Sequence, residues 1–209
     1  MLLSYSYMGG ITIFGGSGFS RDNVGMALAV SGGLHLLIVF MLLSSPASIL
    51  YMHTMLPLDL YIMQALPIIL LLPILFLMEF FFVALPEELY CRAFLVDGVS
   101  RSVGYPIAVA TAMGVWVGLH AITRIPAGAS VALIPIGAGG LALIWLYMTT
   151  RNIGITALAH AVYNTVIDFT AVLVDVDVSL ALLFFVFSTL VELATAGFLL
   201  LTGEPRVEL

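Results

Sequence analysis

Two adjacent glutamates stand in an apolar stretch of the sequence, directly after Pro86 and just before Arg92. Glu88 and Arg92 have the spacing at which an acid and a base pair on one face of a helix. Glu87 points about 100° away from Glu88 and has no such partner in its own helix. An unpaired buried carboxylate can act as a general base. The alternative is that both acids cap a helix that begins at Pro86, where negative charge suits the helix dipole.

Histidine and asparagine side chains occur in two further apolar stretches. His120 stands near the end of one, while His160 and Asn164 share a helical face in the other and Asp168 continues it. Taken alone, each group is more often an interfacial or interhelical hydrogen-bonding residue than a catalyst. At 1.5 Å per residue, however, the depths of these side chains and Glu87 bracket the middle of a membrane. We therefore predict that they can converge on one buried site.

The composition indicates an all-α, polytopic transmembrane helix bundle. Apolar residues make up 62% of the 209-residue chain and charged residues 9%, against about 25% charged residues in a soluble domain. Spans of about 20 residues leave room for six or seven helices. We predict a glycine-rich N-terminal segment at 1–20 and a single transmembrane domain at 21–209. The six basic residues are all arginines, which excludes a polybasic arm for nucleic acid.

The apolar stretches define the spans, although the second one is ambiguous. The predicted spans cover residues 24–43, 60–99, 103–122, 130–149, 153–174 and 178–202. The second stretch contains Pro67, Pro73 and Pro86, and its forty residues would reach about 60 Å, twice the hydrocarbon thickness. It is therefore either one long kinked helix or two spans.

The arginines between the spans predict the orientation. In a six-span arrangement Arg101 and Arg151 share a side with Arg21 and Arg206, and Arg124 lies opposite. The positive-inside rule then places both termini in the cytoplasm. We expect a multi-pass protein in the plasma membrane of a prokaryote, with lipid and a membrane-associated peptide or protein as its partners. The sequence leaves the oligomeric state open.

The polar clusters resemble the motifs of the CPBP family of intramembrane proteases. This family includes the type II CAAX prenyl endopeptidases and Abi-like, bacteriocin-processing proteins. Its motifs EExxxR, FxxxH and HxxxN correspond here to Glu87-Glu88-x-x-x-Arg92, Trp116-x-x-x-His120 and His160-x-x-x-Asn164. The resemblance covers roughly residues 75–170. Trp116 stands where the family usually has Phe, and Ala93 where it commonly has Gly.

The resemblance implies an intramembrane endopeptidase. The implied roles are water activation by Glu87 and His120, oxyanion stabilisation by His160 and Asn164, and structural support from Glu88 and Arg92. Two histidines and one glutamate could also hold zinc with an open position. Glu87, His120 and His160 would then be the ligands, and another group would be the base. A divalent metal such as zinc is therefore a candidate cofactor, and direct activation of water by Glu87 and histidine is slightly favoured.

Two other functions fit the same residues. Acids and histidines near the midplane also mark ion-coupled transporters, although the chain shows no inverted repeat. A non-catalytic membrane scaffold or immunity protein of the same fold is the second alternative. Three further polar residues lie in the spans, and we interpret them as packing or interfacial residues: His35, Glu79 and Glu192. The substrate is not visible in the sequence.

Overall fold

The computed structural model describes residues 19–44, 68–126, 130–174 and 176–202. Six helices in these ranges are long and apolar enough to cross a membrane, which confirms the all-α transmembrane bundle. The predicted N-terminal segment at 1–20 falls almost entirely outside the described residues. The first connection, through residue 59, and Arg206 also lie outside them.

The helical bounds follow the hydrophobic pattern closely. The helices are α1 (Arg21–Ser44), α2 (residues 68–103), α3 (Tyr105–Arg124), α4 (Leu133–Thr150), α5 (Ile153–Val174) and α6 (Val178–Leu201). The span predicted at 153–174 coincides with α5. Gly104 separates α2 from α3 with a φ of 82°, a conformation that glycine adopts without steric cost.

Helix α2 resolves the ambiguity of the second span within the described residues. It is one helical stretch of five consecutive segments: Ile68–Met78, Glu79–Ala84, Leu85–Glu88, Leu89–Gly98 and Val99–Val103. The second and fourth segments have the wider turns of a π-helix. Pro86 lies between them and has no backbone N–H to donate to the preceding turn. Such turns are frequent at functional sites, and here they flank Glu87 and Glu88.

Helix α5 is the central helix of the bundle. In its most apolar stretch, 83% of the residues are buried inside the protein, and it contacts α1, α2, α4 and α6. Asn152 begins the helix, since its Oδ1 accepts a hydrogen bond of 2.9 Å from the Ile155 N–H, as an N-cap residue does. Side chains on most faces of α5 therefore meet another helix rather than lipid.

A buried carboxylate attaches the end of α2 to the end of α4. Asp97 accepts two hydrogen bonds from the Arg151 guanidinium, at 2.8 and 3.1 Å, and one of 2.6 Å from the Tyr147 hydroxyl. Arg151 has a φ of 51°, which is uncommon for a residue other than glycine. The bidentate contact holds this residue in place and fixes the position of α2 relative to the end of α4.

A second buried network joins α1, α5 and α6. The His35 ring lies within 3.2 Å of Glu192 Oε2 and of the Tyr163 carbonyl oxygen, and the Ser31 hydroxyl donates to Glu192 at 2.7 Å. His35 is fully buried and Glu192 is 7% exposed. These contacts agree with the interpretation of His35 and Glu192 as packing residues.

Candidate active site

One cavity of about 230 Å³ lies between the helices and contains all four predicted catalytic side chains. Glu87 reaches it from α2, His120 from α3, and His160 and Asn164 from α5. These residues are up to 77 positions apart in the sequence, and the bundle brings them to one place. The cavity is the candidate active site.

Glu88 lies beside this cavity and orients one of the histidines. It is fully buried, with Oε2 at 3.0 Å from Arg92 Nε and Oε1 at 2.9 Å from His160 Nδ1. Arg92 is 1% exposed and also donates to the Gly140 carbonyl oxygen at 3.3 Å. An ionised Glu88 only accepts hydrogen bonds, so the hydrogen-bonding pattern assigns the ring proton of neutral His160 to Nδ1. The lone pair is then on Nε2, which faces Glu87.

Glu87 is the carboxylate that is open to the cavity. Its Oε2 lies 3.9 Å from His160 Nε2, a separation too long for a direct hydrogen bond but suited to a bridging water. This oxygen is buried and has no hydrogen-bond partner among the described residues, whereas the side chain as a whole is 40% exposed. The sequence predicted a buried carboxylate. The structure shows a half-buried one, because Glu87 faces the cavity while Glu88 faces the interior.

Trp116 packs against both histidines of the site. Its ring centroid lies 4.7 Å from that of His120 and 5.4 Å from that of His160, and the Arg92 guanidinium lies over it at 4.8 Å. Its indole N–H donates to the Ile136 carbonyl oxygen at 3.0 Å. His120 Nδ1 lies 2.8 Å from the Trp116 carbonyl oxygen, which can only accept, so Nδ1 carries the proton. From the sequence, Trp116 was noted only as the residue that stands where the family usually has Phe, and its contacts with the two histidines were not predicted.

Glu79 and Asp168 complete the far end of the cavity. The Asn164 amide donates to Glu79 Oε2 at 2.8 Å, and Asp168 lines the same cavity. Sequence reasoning interpreted Glu79 as a packing or interfacial residue, but it lines the candidate site. Its spacing gave no usable signal, because a residue eight positions before Glu87 lies about 80° away from it around a regular α-helix.

A second, more open cavity of about 450 Å³ adjoins the first. Both are lined by Glu87, Trp116, His120 and Arg124. The second cavity extends between α2 and α3 along mostly apolar side chains: Pro86, Tyr90, Cys91 and Leu119. Tyr90 and Leu119 are about half-exposed on the outer surface of the bundle. The candidate site is therefore continuous with a passage that faces the lipid.

Comparison with known families identifies the part of the chain that builds this site. A family model described as type II CAAX prenyl endopeptidase Rce1-like matches residues 69–166. This part of the chain is therefore similar to the Rce1-like family. The match contains all three polar motifs and confirms the resemblance to intramembrane proteases. Comparisons with curated proteins and with solved structures found no match. The match supports a CAAX-type intramembrane protease at the level of the family, and the six long apolar helices support a multi-pass membrane protein.

The candidate active site does not fit the zinc centre that the sequence suggested. In the described part of the chain, no three His, Cys, Asp or Glu side chains are arranged to hold a metal ion. The zinc ligand set suggested by the sequence, Glu87, His120 and His160, does not form such a group.

Close packing at Gly140 gives a prediction for the candidate active site. A Cβ at this position would lie 2.9 Å from Trp116 Cδ1 and 3.0 Å from Met113 Sδ. We expect Gly140→Ala to displace Trp116 and with it the two imidazoles. Overpacking of this kind costs about 1–3 kcal/mol, and a misplacement near 1 Å can cost about 10²-fold in rate. Cleavage rates per folded molecule and thermal melts measure the two effects.

Gly137→Ala is the matched control for Gly140→Ala. Gly137 lies one turn earlier in α4, and the nearest atom to an added Cβ would be 3.9 Å away, on Val117. This control should melt and cleave like the parent. Equal loss of activity in both variants would contradict the assigned role of Trp116.

Proposed function

We propose that this chain hydrolyses a peptide bond of a membrane-associated substrate in the 230 Å³ cavity, with Glu87 as the general base. The observation that carries the proposal is the pair formed by Glu87 Oε2 and His160 Nε2, which face each other across 3.9 Å. Both atoms are hydrogen-bond acceptors when His160 is neutral. A water molecule between them would donate one hydrogen to each and present its lone pair to a carbonyl carbon.

Glu87 takes the proton in the first step. As the water oxygen forms a bond to the substrate carbonyl carbon, one of its protons moves to the Glu87 carboxylate, and the carbonyl oxygen becomes an oxyanion. General-base assistance of this kind is worth about 10²–10⁴-fold. We assign His160 as the partner of Glu87, because His160 Nε2 lies 3.9 Å from Glu87 Oε2. Glu88 keeps His160 in the required tautomer.

Asn164 is positioned to stabilise the oxyanion. It lies one helical turn after His160 on the same face of α5, and its amide lines the cavity. A preorganised N–H donor is worth about 10²–10³-fold in such a site. When the tetrahedral intermediate collapses, the C–N bond breaks and Glu87 returns its proton to the departing amine. The products are a carboxylic acid and an amine, and Glu87 is again ionised.

His120 contributes from the opposite wall of the cavity. Its Nδ1 proton is donated to the Trp116 carbonyl oxygen, so Nε2 of the neutral ring is an acceptor. We assign Nε2 to the N–H of the scissile peptide group, which it would hold while the carbonyl carbon is attacked. Trp116 restricts the ring and thus reduces the cost of ordering it.

The passage between α2 and α3 supports a substrate that arrives from the membrane. Its lining is mostly apolar and its outer end faces lipid. An apolar segment or lipid-like chain beside the scissile bond would stay in hydrophobic surroundings along this route. The substrate class is therefore a peptide that is embedded in the membrane or anchored to it.

The proposal is tested first by finding substrates and then by reconstitution. Membranes that contain the parent protein or Glu87→Gln are compared for new peptide termini. A peptide that spans a terminus found only with the parent is then placed in liposomes with purified protein. Cleavage is expected without an ion gradient and in the presence of a metal chelator. Gradient-dependent solute uptake that is lost in Glu87→Gln would instead favour an ion-coupled transporter.

We also propose that both termini are cytoplasmic and that the protein lies in the plasma membrane. The contact between Asp97 and Arg151 supports a common side for the end of α2 and the end of α4, as the arginine pattern predicts. On a Cys91→Ser background, a cysteine at Ser102 should react only with reagent on the cytoplasmic side. A cysteine at Ile125 or Val176 should react only from outside. Labelling of Ser102→Cys and Ile125→Cys from one side would contradict the orientation.

A further inference from the structure

We propose that Glu79 is a positioning residue for hydrolysis, because its carboxylate fixes the side-chain amide of Asn164. This inference rests on the proposed function and deepens it. Glu79 lies in the first π-type segment of α2, eight residues before Glu87. The resemblance assigns no role to Glu79, yet the residue lines the same cavity.

The contact that carries the inference is direct. Asn164 Nδ2 donates to Glu79 Oε2 at 2.8 Å, and the two residues come from facing helices, 85 positions apart. Glu79 and Asn164 are both half-buried, and both line the cavity. The distance is that of a strong, charge-assisted hydrogen bond.

The Asn164 amide needs such a partner because its two ends have nearly the same shape. The nitrogen end donates two hydrogens, whereas the oxygen end only accepts. An oxyanion needs the nitrogen end, and a reversed amide would present a repelling oxygen. A carboxylate accepts and cannot donate when ionised, so Glu79 selects the orientation in which Nδ2 faces it. The second hydrogen on Nδ2 is then left for the substrate oxygen.

Asp168 lies near the pair formed by Glu79 and Asn164. It is 7% exposed, follows Asn164 by one turn of α5 and lines the same cavity. In its contact with Asn164, Glu79 accepts through Oε2. Glu79 therefore acts as an acceptor in this pair.

An acceptor role predicts different results for two substitutions of Glu79. Glu79→Leu removes both acceptor oxygens, so kcat should fall roughly ten- to hundred-fold, less than the 10²–10³-fold cost of losing an oxyanion donor outright. KM should be unchanged, because the affected contact forms in the transition state. Glu79→Gln keeps one oxygen for Asn164 and an N–H for Asp168. It should therefore retain kcat within a few-fold of the parent.

A double-mutant cycle tests whether Glu79 acts through Asn164. Asn164→Ala removes the donor, and Glu79→Leu in that background should cause no further loss of kcat. Glu192→Gln is the matched control: Glu192 is a buried glutamate in a span, bonded to Ser31 and His35 rather than to Asn164. It should lower the melting temperature without changing kcat per folded molecule. All variants are assayed with the reconstituted full chain and the peptide found by terminus mapping.

The outcomes separate this inference from the proposed function. A parent protein that cleaves nothing overturns both. If the parent cleaves and Glu79→Leu cleaves equally well, only the positioning role is overturned. If Glu79→Gln is as inactive as Glu79→Leu, Glu79 performs acid–base chemistry and the acceptor role is wrong. Additive losses in the Glu79/Asn164 cycle would also overturn it.

Discussion

Replacement of Glu87 by Gln should reduce cleavage by about 10²–10⁴-fold, the usual worth of a general base. The side chain keeps its shape and can still contact a water molecule, but the amide cannot take the proton. Because KM reflects contacts that Gln preserves, the loss should appear in kcat. The measurement is the cleavage rate per folded molecule in liposomes.

The same variant should fold as well as the parent. Glu87 Oε2 is buried without a hydrogen-bond partner among the described residues, and an uncompensated charge in such a place costs stability. Gln removes that charge, so the melting temperature should stay level or rise. Glu79→Gln is the internal comparison, since it alters another glutamate of the same cavity and should remain active. A destabilised Glu87→Gln protein that cleaves normally would contradict the assignment of Glu87 as the base.

Much of the fold was predictable from the sequence because lipid imposes a simple rule on it. Every backbone polar group in the membrane core must be satisfied internally, so long apolar stretches become helices. The agreement at α5 and the close agreement at α1 and α6 follow from this rule. The second span was different, because Pro73 and Pro86 lie inside an apolar stretch without a polar connection between them. Only the structure shows that α2 continues through both.

The candidate site was predictable in its main residues but not in how they pair. Helical spacing is local, so it predicts the pair of Glu88 with Arg92, which the structure contains. It cannot predict which histidine lies opposite Glu87, because that depends on how α2, α3 and α5 pack. The family resemblance implied His120 as the partner of Glu87. The structure places both His120 and His160 at the cavity, and His160 Nε2 lies 3.9 Å from Glu87 Oε2.

The sequence did not predict Glu79 as a residue of the candidate active site, and the reason is geometric. In a regular α-helix, a residue eight positions before Glu87 lies about 80° away from it around the helix axis. The π-type turns of Glu79–Ala84 contain more residues per turn, and this brings Glu79 back to the face of Glu87. The position of π-type turns depends on Pro86 and on packing against α5, and neither is part of a hydrophobic pattern.

Replacement of Glu88 by Gln should lower the stability of the protein much more than its activity, which is the opposite of the result expected for Glu87→Gln. Arg92 is 1% exposed and has its carboxylate partner in Glu88 at 3.0 Å. Breaking a buried pair of this kind typically costs about 3–5 kcal/mol, because the remaining charge is left uncompensated. We therefore expect lower protein yield and a lower melting temperature. The introduced glutamine still offers a carbonyl oxygen to His160 Nδ1, so activity per folded molecule should fall much less than in Glu87→Gln.

The double variant Glu88→Gln/Arg92→Gln shows whether the uncompensated charge of Arg92 causes the loss of stability in Glu88→Gln. Removing the guanidinium should restore part of the melting temperature lost in Glu88→Gln. The recovery should be incomplete, because Arg92 also contacts the Gly140 carbonyl oxygen and the Trp116 ring. Thermal melts in detergent and cleavage rates are measured on the parent, both single variants and the double variant. A well-folded Glu88→Gln protein without activity, together with a destabilised Glu87→Gln protein, would mean that the roles of the two glutamates are exchanged.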